Sequence, residues 1–462
     1  MSSGSELEAG SFRDPHGFVF RRRDVLYRQV NRVHREHFDR FLRSGLYERL
    51  VLDGLLVAHE EVETSIAVAP GAYRVLRPEQ IPFVSYPYEW SFQMLRDAAL
   101  ATLRIEELAL DHGMSLRDAT AYNITFHRGR PVFLDTTSFE IFPETRPWVA
   151  YRQFCEHFVG PLALMSLRDV RLGQLSRLHI DGVPLDLVSK LLPGRAAVKP
   201  GLAMHVRMHA KSQRRHETDA QAASVKARSF SSNAFRGVLG SLRKTIERLD
   251  QPAGASAWGE YYRDADHYSA TAVERKGSLV SAWIDEVRPR TVWDLGANTG
   301  RFARLASGRG IDTLALDVDP FCVDQAYRTS HADGDEHLLP LVQDLTNPST
   351  GIGWGARERR SLEQRGPADL VLALALIHHL AIANNVPIRA VLEQFARLGR
   401  SAIVEFVPKT DPKVIQLLRS REDVFLDYDV DHFEAEAKSV FRIEQREPVG
   451  DSDRTLFLLG PR

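Results

Sequence analysis

The sequence predicts an α/β protein: a Rossmann-like sheet of seven strands in the C-terminal half, preceded by an α+β N-terminal domain. Three observations carry this. Over residues 255–462, short apolar runs alternate with helical patterns, as in parallel strands joined by helices. One of those runs ends in an acid and a glycine turn, Asp294-Leu-Gly-Ala-Asn-Thr-Gly300. Residues 18–192 instead mix amphipathic helices with short strand-like pieces.

The 462 residues are 44% hydrophobic and 26% charged, a globular balance that excludes disordered and collagen-like classes. With 60 basic and 61 acidic side chains, the overall field does not point to nucleic acid or a membrane surface. Cys155 and Cys322 are too few for a disulfide framework. Residues Met1–Gly10 lack the basic start and apolar stretch of an export signal, and the apolar run Leu370–Ile377 is eight residues, short of the roughly 18 a membrane span needs. A cytoplasmic protein without a membrane span is therefore expected.

Along the chain, residues 1–17 are expected to be disordered. In the α+β domain at 18–192, Leu26, Val30 and Val33 recur at helical spacing. Strand-like pieces follow at Tyr73–Leu76 and Phe83–Tyr86. Ser91–His112 forms an amphipathic helix stopped by Gly113, and the strands Tyr122–Phe126 and Pro131–Leu134 flank a turn. Everything before Lys190 is free of lysine. Residues 193–254 read as a basic linker with helical segments. Between residues 190 and 245, 12 Lys and Arg face only Glu217 and Asp219. Such a stretch suits a solvated linker, or a contact surface for a polyanion or for acidic parts of the chain. Without interleaved aromatics to stack on bases, nucleic acid is disfavoured.

In the C-terminal part the strands are read at Thr291–Leu295, Thr313–Leu316, Leu338–Val342, Leu370–Ala375, Ala402–Phe406, Phe441–Gln445 and Thr455–Leu459. After the first of them, Gly296 and Gly300 let backbone approach a ligand, and a helix starting near Thr299 offers free N–H groups. Asp317, 21 residues past Gly296, sits where a carboxylate reaches ribose hydroxyls. Two cofactor classes use such a turn. A dinucleotide brings a pyrophosphate, which Asp294 would repel; S-adenosylmethionine brings a sulfonium and an ammonium, which Asp294 suits. Asp344 could accept from an adenine amino group, with Gln343 and Leu345 supplying backbone contacts. The fourth strand opens at His378-His379.

These residues make 255–462 resemble the class I S-adenosylmethionine-dependent methyltransferases, whose fold ends in an antiparallel hairpin like that read at 441–459. The resemblance implies that Asp294, Gly296, Ala297, Asn298, Gly300, Asp317, Val318, Gln343, Asp344, Leu345, Ala373 and Leu374 bind S-adenosylmethionine. Methyl transfer is an in-line displacement, so alignment and desolvation carry most of it, and no metal is expected. His378 and His379 are the candidate catalytic residues, with Glu405 beside them as a possible base. Trp258, Tyr261, Tyr262 and Tyr268 are candidates for a lid or for core packing. Over its whole length the chain is similar to long bacterial nodulation-related methyltransferases, through Tyr86-Pro-Tyr-Glu-Trp-Ser91, Trp258-Gly-Glu-Tyr-Tyr262, Asn384-Asn385 and Ile403–Lys409.

Within 118–135, the pattern of Asp118, then Asn123, then a strand ending at Asp135 is similar to the catalytic loop and metal-binding acid of kinase-like phosphotransferases. The resemblance implies a possible nucleotide site at Asp118, Asn123 and Asp135. The phosphate-gripping lysine is missing, and only Arg74 or Arg77 is in view as a substitute. Three functions thus stand open: transfer of a methyl group from S-adenosylmethionine to an unidentified acceptor, a regulatory protein that binds S-adenosylmethionine without turnover, and a bifunctional kinase-like methyltransferase. Acceptor and oligomeric state are not written in the sequence.

Overall fold

In the computed structural model, residues 5–143, 147–194, 199–208, 232–252, 270–419 and 422–462 are described. Contacts divide the chain into an N-terminal unit, Met1–Ala253 with Gly351–Arg359, and a C-terminal unit, Gly254–Thr350 with Arg360–Arg462. The lid candidates Trp258, Tyr261, Tyr262 and Tyr268, and much of the basic stretch, lie outside the described residues. No helix among the described residues is long and apolar enough to cross a membrane.

The N-terminal unit opens with a five-stranded antiparallel sheet of β1 (Ser5–Leu7), β2 (Gly17–Arg22), β3 (Val25–Asn31), β4 (His59–Val62) and β5 (Ala72–Pro78), in the order β1-β2-β3-β5-β4. Two expectations are corrected here. The helical spacing of Leu26 and Val30 is overridden, because Val25–Asn31 pairs on both sides as the middle strand. The first helix, α1 (Arg35–Arg43), starts later and is followed by α2 (Leu46–Leu52). Nor are residues 1–17 all disordered: Ser5–Leu7 pairs with Phe20–Arg22, and Asp14 is tied to Arg117 at 2.8 Å.

A third correction concerns Phe83–Tyr86, which joins no sheet. Pro82 and Pro87 flank it without N–H groups, and its own N–H groups turn to side chains, Ser85 to Thr125 Oγ1 and Tyr86 to Glu89 Oε2. The long helix α3 (Phe92–Asp111) is capped by Ser91, and Gly113 follows at φ +70°. Beyond it, β6 (Met114–Leu116) pairs with β9 (Phe139–Ile141), and β7 (Ile124–His127) with β8 (Arg130–Phe133). Part of the expected linker is also built into this unit. Helix α4 (Ser232–Glu247) lies on α3, with Arg236–Asp111 at 2.6 Å and Arg243–Glu107 at 2.9 Å.

The C-terminal unit holds a seven-stranded sheet, with five parallel strands followed by an antiparallel pair. The strands are β10 (Thr291–Leu295), β11 (Asp312–Asp317), β12 (Leu338–Val342), β13 (Ala368–Ala373), β14 (Gly399–Phe406), β15 (Arg442–Pro448) and β16 (Thr455–Gly460), in the order β12-β11-β10-β13-β14-β16-β15. Helix α5 (Ala270–Val287) covers one face, burying Val280, Trp283 and Ile284 against Val292, Leu370, Leu372 and Ile403. Such apolar burial drives the packing at about 25 cal/mol per Å². The strand order reverses at β10, so the carboxyl ends of β10 and β13 flank a crevice.

Candidate active site

The crevice is built from backbone first. Gly296, Asn298 and Gly300 all take left-handed conformations, at φ +74°, +52° and +77°. The last of these delays the helix expected near Thr299: it begins only at α6 (Ala303–Ser307). The turn is pinned to the neighbouring strand, because the Gly296 and Ala297 N–H groups both donate to the Leu316 carbonyl, at 2.8 and 3.0 Å. A Cβ on Gly296 would lie 3.1 Å from Leu376 Cδ1, so the end of the fourth strand packs directly on the turn. A ligand on this turn meets backbone rather than side chains.

Asp317 closes the next strand. Its carboxylate accepts from the Asn298 N–H at 2.7 Å and from the Asp319 N–H at 2.9 Å, which fixes its aim beside the turn. Asp319 caps α7 (Pro320–Asp333) by accepting from the Phe321 N–H. Between the two acids, Val318 stands 56% exposed, an apolar side chain left open to solvent. Just past β12, the Gln343 N–H donates to the Asp317 carbonyl at 2.8 Å, and Asp344 receives the N–H and hydroxyl of Thr346. Asp344 and Leu345 are half-buried; Ala297, Ala373 and Leu374 are buried. The twelve residues expected at the cofactor thus fall on the adjoining ends of four neighbouring strands.

Burial sets the charges. Asp294 is buried and pushed up to about 7, with Lys276 pulling it down and Asp317 pushing it further up. Asp317 is likewise raised by burial, to about 6, against the N–H groups of Asp319 and Asn298. His378 is fully buried, and neither ring nitrogen has a hydrogen-bond partner among the described residues. Burial and the charges of His379, Arg454 and Lys276 hold it well below the usual imidazole range. His379, half-buried with its ring 4.1 Å from that of His378, is lowered to about 4. Both are neutral imidazoles near pH 7.

Glu405 is bound rather than free. Lys276 on α5 donates to it at 2.6 Å, and Arg454 lies 3.6 Å away while donating to Asp411 at 2.7 Å. Lys276, Arg454 and Asp411 were missed by the sequence reading.

In the N-terminal unit, Asn123, Ser138 and Asp135 form a chain of hydrogen bonds: Asn123 Nδ2 to Ser138 Oγ at 3.3 Å, and Ser138 Oγ to Asp135 Oδ2 at 2.8 Å. Asp118, raised by burial and by the charge of Asp135, completes the group. The cation paired with Asp135 is Arg28 of β3, 2.6 Å away, and not Arg74 or Arg77, which pair with Glu61 and Glu60. Burial alone would raise Asp135, but Arg28 and the hydroxyls of Thr137 and Ser138 more than offset it and hold the carboxyl below its ordinary value.

The sheet order and the glycine turn define a Rossmann-like α/β fold of the class I methyltransferase type. The chain is 37% identical over 454 residues to the nodulation protein NoeA of Rhizobium meliloti (strain 1021), which covers 97% of this chain and 95% of NoeA, and it belongs to the NoeA family. No family model matches. Solved structures to which part of this chain is similar include the magnesium protoporphyrin IX methyltransferase ChlM from Synechocystis PCC 6803 with bound SAH (16% identity, 44% of this chain and 93% of that one, TM-score 0.33). Others are the N-methyltransferase NodS from Bradyrhizobium japonicum WM9 (12%, 42% and 99%, 0.31) and the bifunctional kinase-methyltransferase WbdD (14%, 44% and 43%, 0.30). The aligned part spans less than half of WbdD, and at these scores none of the three bears on what the chain does.

Proposed function

We propose that the C-terminal unit binds S-adenosylmethionine and transfers its methyl group to an acceptor not yet identified. The observation that carries the reading is Asp317. Two backbone N–H groups hold its carboxylate beside a turn of three left-handed residues, the arrangement that suits a ribose diol and an adjoining chain of polar ligand atoms. Asp344 and Val318 then offer an acceptor and an apolar face to an adenine, and Asp294 a negative charge to the sulfonium and the amino-acid end. The cofactor supplies a methyl group on an electrophilic sulfonium. The chain's own part is to align it, to exclude water through the buried ends of β10 and β13, and to receive the acceptor near His379. Residues 255–462 are the transferase part in this reading, in a cytoplasmic protein, and 18–192 the accessory part.

For the accessory part, Arg28 favours a scaffold over a phosphotransferase, because the acid that would hold a metal already holds a guanidinium. Calorimetric titration with S-adenosylmethionine, S-adenosylhomocysteine, NAD and Mg-ATP tests both readings. Micromolar binding of the two adenosyl ligands, weakened at least tenfold in Asp317→Ala, supports the transferase. Heat from NAD alone overturns the cofactor, and silence from all four removes the reading.

A further inference from the structure

Linked to Asp294 through Lys276 is a set of buried charges that the transfer chemistry does not explain. Lys276 from α5 is 1% exposed, Glu405 from β14 and Arg454 before β16 are fully buried, and Asp411 is 7% exposed. Lys276 and Glu405 meet at 2.6 Å, Arg454 and Asp411 at 2.7 Å, and Arg454 and Glu405 at 3.6 Å. These four balance: two cations, two carboxylates. Asp294, also buried, is the odd member.

The groups acting on Asp294 come from each element around it. Lys276 acts from α5, Asp317 from the end of β11, and the Ala303 N–H donates from the start of α6. Beyond Lys276 stand Glu405, Arg454 and the neutral His378. Within the five side chains Asp294, Glu405, Asp411, Lys276 and Arg454, ionised Asp294 makes three carboxylates to two cations, Asp317 adds negative charge beside it, and burying that unbalanced charge is costly. One positive charge placed against the turn restores balance. A proton on Asp294 does the same.

We propose, building on the cofactor reading above, that this buried set selects the sulfonium form of the cofactor over its thioether product, with Asp294 exchanging a proton for the ligand's positive charge and Lys276 as the positioning residue. S-adenosylmethionine carries a sulfonium, an ammonium and a carboxylate, for a net charge of +1; S-adenosylhomocysteine lacks the sulfonium and is neutral overall. Binding of the first therefore expels a proton from Asp294, written as Asp294–COOH plus ligand cation giving the carboxylate–cation pair plus one proton. When the methyl leaves and the sulfur becomes a thioether, Asp294 takes a proton back and the product is held less tightly. Asp317 faces the ribose in both ligands, so its contact with the ligand is common to the two, and its charge enters the comparison only through Asp294.

The test is the ratio of dissociation constants, thioether over sulfonium ligand, measured calorimetrically on the full chain from pH 6 to 8. The protonation of Asp294 near neutral pH makes that ratio rise by about tenfold across the range and then level off. Titration in buffers of different ionisation enthalpy shows about half a proton more released at pH 7 with the sulfonium ligand than with the thioether. Asp294→Asn flattens the ratio. Lys276→Met moves the rise to higher pH, and so does the Lys276→Met/Glu405→Gln pair, which removes both partners and guards against a simple folding defect. A Lys276 that only supports the fold weakens both ligands alike and leaves the midpoint in place. If both ligands bind with a ratio independent of pH, the proposal is wrong and the cofactor reading survives. If neither binds at any pH, the cofactor reading falls and the proposal with it.

Discussion

Arg28 Nη1 lies 2.6 Å from Asp135 Oδ1, and Asp135 Oδ1 also receives the Thr137 hydroxyl at 2.7 Å and the Thr137 N–H at 2.8 Å. Both charged side chains are about six-sevenths buried. Removing the guanidinium leaves a largely buried carboxylate with neutral donors only. Arg28→Met is expected to destabilise the N-terminal unit by about 2–3 kcal/mol, below the value for a fully buried pair because some solvent reaches both groups. Hydrogen exchange at the β3 and β8 amides reads this out, and Arg28→Met/Asp135→Asn should recover most of the loss. An unchanged exchange profile in the single variant would mean the pair is dispensable.

The same pair bears on nucleotide binding. A divalent ion at Asp135 must displace Arg28, and the acid is already held below its ordinary value by that partner and two hydroxyls. Mg-ATP at millimolar concentration should therefore give no saturable heat with the wild-type protein. A saturable signal abolished by Asp135→Ala would restore the bifunctional reading.

Glu106, fully buried in α3, shows the opposite electrostatic situation. It accepts from the Ser115 hydroxyl and the Leu116 N–H, both at 2.6 Å, but has no cation partner among the described residues and is pushed by burial up to about 8. The folded chain thus keeps a proton that the unfolded chain gives up above about pH 4.3. Stability contributed here is full in acid and declines as pH rises through that window to about 8. Glu106→Gln, which mimics the protonated form, should flatten the fall in thermal midpoint between pH 5 and 8. An unaltered slope would show that Glu106 is ionised.

What the sequence made legible follows from which interactions are local. The glycine turn, Asp317 and the end of β13 could be read because strand, turn and acid follow one another along the chain and their spacing mirrors the parallel sheet. The buried charges linked to Asp294 could not. Lys276 is 129 residues from Glu405, and Arg454 is 43 from Asp411, so nothing local marks them as partners. Arg28 was missed for another reason. With no lysine before Lys190, Arg74 and Arg77 stood as the candidates, whereas Val25–Asn31, whose residues show no period-2 alternation, is the middle strand that carries Arg28 to Asp135. Helical spacing over that stretch misled because apolar residues four apart also share a face of a strand.

His378 separates a chemical role from a structural one. A base must reach its substrate, yet this imidazole is fully buried, without a hydrogen-bond partner among the described residues, and is kept neutral by burial and by the cations Lys276 and Arg454. Replacing it with an apolar side chain of similar size removes two unsatisfied buried nitrogens, so His378→Leu should hold stability at pH 7 within about 1 kcal/mol of wild type or raise it. The acid side gives the sign. Below about pH 6.5 the unfolded chain binds a proton that folded His378 refuses, so wild-type stability drops as pH falls, by up to about 1.4 kcal/mol per unit. The leucine variant lacks that liability and should gain about 2 kcal/mol relative to wild type at pH 5. Urea unfolding at the two pH values measures both, and S-adenosylmethionine should bind the variant within about threefold of wild type. A loss of more than tenfold in that affinity with stability intact would make His378 a ligand contact, and its neutrality would then serve the pocket rather than the core.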